Sequence, residues 1–175
     1  LAVHLDALGY EKDWTGWIIA MGITVEVLVM SQAKFIFDRF PARTIFLAAL
    51  VVALPRWLLT AMVDNVWWLL LLQGGHGFTF GAFWLAGVSL MSTRAPNGVE
   101  TSAQGLFAAA VGGIGAMIGM VGASLVVEHS TTRHLFWWGA GASIFAIFCA
   151  LMALRSRNSD GASRRGDCRP HTPLR

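Results

Sequence analysis

Charge is scarce in this chain. Asp, Glu, Lys and Arg together make up 13% of its 175 residues, about half of the roughly 25% usual in soluble domains. Cysteine is scarcer: Cys149 lies in an apolar run and Cys168 in a polar tail, so a disulfide framework is excluded. The phosphate-cradling pattern G-x-x-x-x-G-K-[ST] is absent, which argues against ATP hydrolysis by the chain itself. There is no H-E-x-x-H, no pair of aspartates and no Cys/His cluster, so no metal, no other cofactor and no enzymatic activity are expected. A basic segment followed by a short apolar run and a cleavage site is also missing, which argues against a signal peptide. The chain opens on LAVHLDALGY without an initiating Met, which reads as the end of a preceding helix whose N-terminal part lies upstream.

What remains is apolar: 55% of the residues are hydrophobic. A helix needs about 20 mostly apolar residues to cross the hydrocarbon of a bilayer. Five such stretches are expected, over 14–33, 43–62, 66–91, 101–127 and 135–154, joined by links short enough to force antiparallel neighbours. The fold class is therefore an all-α polytopic membrane bundle: a transmembrane unit over 1–154 and a basic, disordered tail over 155–175. In the fourth stretch, Gly115 and Gly119 stand at the small-xxx-small spacing that lets helix backbones approach closely. Tight packing is expected there, compatible with a helix that slides or bends.

The cations fix a direction. With the tail inside, Lys34, Arg39, Arg43, Arg94 and the tail arginines at 155, 157, 164, 165, 169 and 175 all fall on the cytoplasmic side, against Lys12 and Arg133 outside. That asymmetry follows the positive-inside rule and places the C-terminus in the cytoplasm. A basic tail beside a membrane span favours contact with anionic lipid over nucleic acid.

Three titratable side chains sit inside successive stretches: Glu26, Arg56 and His76. A charge at the bilayer centre costs about 2.5–3.5 kcal/mol on insertion scales, so such residues face partners or a watery cavity. At about 1.5 Å per residue, Glu26 lies roughly 18 Å, His76 roughly 15 Å and Arg56 roughly 9 Å from the outer end, within one slab of about 10 Å. A carboxylate among apolar neighbours can load and release a proton, which makes Glu26 a candidate carrier; its alternative is a permanent pair with Arg56. Arg56 reads either as a switchable partner or as a side chain snorkelling to the outer headgroups, on a helix loosened by Pro55. His76 suits a relay or a hydrogen bond to solute, or else a neutral interhelical hydrogen bond. Gln73, His76, Phe80 and Phe83 share a helical face that could line a wall for an amphipathic solute, or simply pack. Gln104 lines the path or caps its helix.

The segments LDALG, PRWLLTA, QGGHGFTFGA and AQGLF resemble the C-terminal half of a major facilitator superfamily permease, in the branch of phenylpropionate permeases related to lactose and nucleoside proton symporters. The resemblance covers 1–154. It implies twelve helices in two six-helix halves, with these five spans as helices eight to twelve, and a solute site near the midplane between halves. It implies partners: a small organic solute, protons, the lipid bilayer and the N-terminal half of the same permease. The implied setting is a bacterial inner membrane. The family's cytoplasmic Gly-xxx-Asp-Arg-x-Gly-Arg loop corresponds to 34–43, where Asp38 and Arg39 match, Arg43 closes the link, and Lys34 and Pro41 replace both glycines. A charged gate could survive there, or only a topology signal. Lactose symporters carry Glu on helix eight, Arg on nine, and His on ten followed three residues later by Glu. Glu26, Arg56 and His76 match, but Thr79 stands in the last place and cannot carry a proton. Gradient-driven symport by alternating access is the implied function; the alternative is a non-transporting membrane scaffold or sensor.

Overall fold

The computed structural model describes residues 1–166, with side chains as far as residue 153. The described part is built from helices: α1 (Ala2–Ala7), α2 (Lys12–Ser31), α3 (Ala33–Arg39), α4 (Ala42–Met62), α5 (Val66–Arg94), α6 (Glu100–Ala108), a π-helical segment (Ala109–Gly115), α7 (Ala116–His129) and α8 (Thr132–Gly166). Among the described residues, four stretches are long and apolar enough to cross a membrane: Lys12–Ser31, Ala42–Met62, Glu100–His129 and Thr132–Ala153. The remaining expected span is α5. At 29 residues it is long enough, and Gln73, the glycines, His76 and Thr79 in its middle make it less apolar.

That composition suits its place. α5 packs along α2 on one side and α4 on the other, while α4 also packs on α8. Flanked on two sides, the middle of α5 is largely covered and tolerates polar groups. Two apolar clusters hold the array: Val29, Ile45, Ala49, Ala82 and Ala86, and Leu5, Ile18, Val66 and Leu69. Outward, Trp17, Val27, Leu28, Leu106, Met120, Trp138 and Phe145 are exposed. A continuous apolar surface of this kind is stable only against lipid or another apolar partner.

At one end the helices are joined by polar contacts that sequence reasoning did not pair. The Tyr10 hydroxyl donates to the Asp64 carbonyl at 3.0 Å and accepts from the Val66 N–H at 3.3 Å. Arg133 at the start of α8 forms an ion pair with Asp64. Buried His4 shares a 2.8 Å hydrogen bond with Thr132. All of these residues lie on links assigned to the outside by charge, so α1 and the α4–α5 and α7–α8 links meet at one end, as alternating antiparallel spans require.

One expectation changes. The Gly115-xxx-Gly119 stretch is not tightly packed. A β-carbon at Gly112, Gly113, Gly119 or Gly122 would meet nothing within 4 Å, and at Gly115 only the Ala110 carbonyl of its own helix. The helix is instead interrupted by the π segment. Beyond the apolar stretch, α8 runs on as helix to Gly166. Propagation adds one hydrogen bond per residue fixed, so a helix can run past its apolar stretch. Residues 167–175 of the expected tail lie outside the described residues.

A candidate solute site on the central helix

Three flanks of α5 do different work. Gly74, Gly77 and Gly81 face α2. A β-carbon at Gly77 would lie 2.1 Å from the Gly22 carbonyl oxygen and 2.8 Å from the Glu26 nitrogen; at Gly81 it would lie 3.3 Å from Val29. Gly75 faces α4, where the Arg56 Cδ would be 3.7 Å from an added β-carbon. The third flank carries His76, Phe80 and Trp84 at i, i+4 and i+8, a spacing that stacks side chains along one face.

Those rings form a ladder. His76 stacks on Phe80 with centroids 5.7 Å apart, and Phe80 on Trp84 at 6.0 Å. Phe107 of α6 meets Trp84 at 5.5 Å and Phe83 at 5.8 Å, and Phe83 meets Phe46 of α4 at 5.0 Å. Phe107 reaches this position because Gly87 leaves a notch: a β-carbon there would stand 2.2 Å from the ring. Each aromatic pair adds about 0.5–1.5 kcal/mol beyond area burial. Trp84 and Phe107 were missed from sequence; the i+4 step from Phe80 pointed to the first, and nothing local pointed to the second.

The other expected residues divide. Gln73 turns toward α2, its Cγ and Nε2 each 3.3 Å from where a Gly22 β-carbon would be, away from the ladder. Thr79 is buried, and its hydroxyl donates to the Gly75 and His76 carbonyls, both at 3.1 Å. Gln104 borders a groove of about 480 Å³ with Trp84, Ser89, Ser92 and Thr93, which favours lining over capping.

Arg56 is 7% exposed, its Nε buried without a hydrogen-bond partner. Its guanidinium carbon stands 4.2 Å from the Trp57 ring centroid. Burial this deep rules out snorkelling to the headgroups. The alternative of a pair with Glu26 is also not formed: among the described residues the one ion pair is Arg133 with Asp64. The reason is angular. Gly75 and Gly77, two positions apart, lie about 200° apart around a helix, so α5 stands between Arg56 on α4 and Glu26 on α2. Lying within one slab of about 10 Å did not bring the two charges together.

In the 34–43 link, Asp38, Arg39 and Arg43 are all exposed. The link is largely the short helix α3 rather than a glycine turn, which fits the loss of both glycines. Arg39 lies over the Phe35 ring, 4.7 Å from its centroid.

Comparison with known proteins adds the following. The model of the "MFS_1 like family" matches residues 1–138. The chain is 26% identical over 93 residues to the "Probable 3-phenylpropionic acid transporter" of Escherichia coli K12, covering 53% of this chain and 24% of that protein. It is 26% identical over 164 residues to YegT, a candidate nucleoside transporter of the same organism, covering 85% of this chain and 38% of that protein. The chain thus spans well under half the length of the curated relatives it matches. No solved structure matches it.

Proposed function

We propose, on the premise that this chain belongs to the MFS_1 like family, that it is the C-terminal half of a proton-coupled permease for a small organic solute. The relatives are named as transporters of an aromatic acid and of nucleosides, and either class fits a ring-lined wall. The observation that carries the reading is the ladder of His76, Phe80 and Trp84 on the central helix of a membrane bundle. Stacking surfaces with one polar end suit a flat solute, and a site between two rocking halves gives alternating access. Glu26 is the proton carrier, since it is half-buried on α2 and free of Arg56. Asp38, Arg39 and Arg43 form the cytoplasmic gate. The C-terminus faces the cytoplasm of a bacterial inner membrane.

The test is uptake into proteoliposomes containing the full-length protein, with labelled 3-phenylpropionate and labelled uridine as probes. An inward proton gradient should drive accumulation of one probe, and a protonophore should abolish it. Absence of both uptake and exchange for a probe that binds would point to the scaffold or sensor reading. Uptake insensitive to the gradient would remove the proton coupling.

A further inference from the structure

A groove opens between four helices at the end of the bundle opposite the Tyr10, Asp64 and Arg133 contacts. It holds about 390 Å³ and is lined by α4, α5, α6 and α8. α8 contributes Ala146, Cys149, Ala150 and Ala153, at the i, i+3, i+4 and i+7 spacing of one helical face. Their small side chains leave the space that separates α8 from Phe46 and Phe83. Phe107, seated in the Gly87 notch, borders the inner part. From Gly87 to Arg94 the groove follows α5 for about 10 Å, at 1.5 Å per residue. The lining is apolar until its mouth, where Arg94 ends the helix.

Arg94 is partly buried and has no counter-charge. Among the described residues the one ion pair is Arg133 with Asp64, at the far end. Glu100, the acid closest to Arg94 along the chain, has both carboxylate oxygens on the Gly98 N–H, at 2.9 and 3.1 Å. Arg43, exposed near the start of α4 and three residues before Phe46, adds positive charge at the same end. In a bilayer such a slot must be filled, because an empty one forfeits dispersion contacts along its walls. A lipid tail is as apolar as the slot, so filling alone selects no lipid. Selection falls to the charged group at the mouth.

We infer that the groove holds one anionic phospholipid, its phosphate on the Arg94 guanidinium and an acyl chain laid between the α8 alanines and the rings of Phe46 and Phe83. The guanidinium fork donates two parallel hydrogen bonds to a phosphate. A zwitterionic headgroup would bring an ammonium to the same mouth, where two arginines repel it and no carboxylate lines the groove. In the orientation proposed above, the mouth meets the cytoplasmic leaflet, the one whose anionic lipids attract basic side chains. The site is distinct from the tail beyond residue 155, since its residues lie between 46 and 153. It is also independent of what the permease carries.

The test is native mass spectrometry of delipidated full-length protein, with dioleoyl phosphatidylglycerol and dioleoyl phosphatidylethanolamine as probes. One phosphatidylglycerol should be retained per chain, about five-fold or more tighter than phosphatidylethanolamine, the effect expected of one cation facing an anionic lipid. Arg94→Gln should cut that preference to less than about two-fold by removing the fork. Ala150→Phe should weaken retention of both lipids alike, because it fills the slot. If Arg94→Gln does not fold, Arg94→Lys replaces it and should keep only part of the preference; Ala150→Met likewise replaces Ala150→Phe. Equal retention of the two lipids, or a preference unchanged in folded Arg94 variants, overturns the inference. So does unchanged retention in a folded variant with the slot filled. A preference lost on deletion of residues 167–175 but kept in Arg94→Gln would move the anionic contact to the tail and overturn it too. Displacement of phosphatidylglycerol by an equal concentration of glycerol 3-phosphate would mean a site for the free anion and no lipid site. Lipid retention and solute uptake are read separately, so failure of one leaves the other standing.

Discussion

Gly77 of α5 is pressed against Gly22 of α2 so closely that a β-carbon on Gly77 would fall 2.1 Å from the Gly22 carbonyl oxygen. The obstacle is backbone, which cannot swing aside as a side-chain tip can. Gly77→Ala should therefore destabilise by about 1–3 kcal/mol or more, the range of overpacked cores. Gly119→Ala, in open space, should be neutral or gain up to about 1 kcal/mol from helix propensity. Melting curves of the two purified variants decide this, and equal losses would contradict the packing described.

The joined end of the bundle predicts a labelling pattern. Single cysteines at positions 64 and 133 should react with an impermeant thiol reagent from the same face of the membrane, since Asp64 and Arg133 touch. A cysteine at position 39 should react only from the other face. Position 39 labelled together with 64 would break the antiparallel order. Because both partners of that ion pair are substantially exposed, with side chains 42% and 51% accessible, Asp64→Asn should cost no more than about 1 kcal/mol.

Glu26→Gln should abolish uphill accumulation while leaving exchange of labelled for unlabelled solute intact, because exchange requires binding and helix motion but no net proton release. The geometry adds a second expectation: with α5 between them, Glu26 does not neutralise Arg56, so the variant should reach the membrane at wild-type levels. A collapse in protein level rescued by Arg56→Gln would show that the two charges meet after all. Wild-type accumulation would move coupling elsewhere.

Thr79→Val should change uptake less than about two-fold. The hydroxyl is committed to the carbonyls of Gly75 and His76 within its own helix, and such local bonds contribute about 1 kcal/mol or less. A large loss of transport with normal protein levels would mean that this hydroxyl leaves its helix to meet the solute.

The spans and their alternation were legible because hydrophobic runs and the placement of Lys34, Arg39, Arg43 and Arg94 are local properties of the chain. Azimuth was not. Glu26 and Arg56 fall within one slab of about 10 Å, but depth counted along a helix says nothing about which neighbour a side chain faces. The same blindness misplaced the close packing. Glycines are dense in the fourth stretch, yet it is Gly77 and Gly81 of α5 that meet a neighbouring backbone. Spacing permits close approach without naming a helix to approach. The contacts of Tyr10, His4 and Arg133 join residues 54 or more positions apart, which no window of sequence can display.

The π segment at Ala109–Gly115 has a rotational consequence. An i→i+5 bond encloses one more residue than an α-helical bond, and each residue so absorbed turns everything beyond it by about 100°. α6 rests on α5 while α7 rests on α8, so the two parts of this membrane crossing keep different phases toward different neighbours. Winding or unwinding a single turn there would twist one against the other without tilting either.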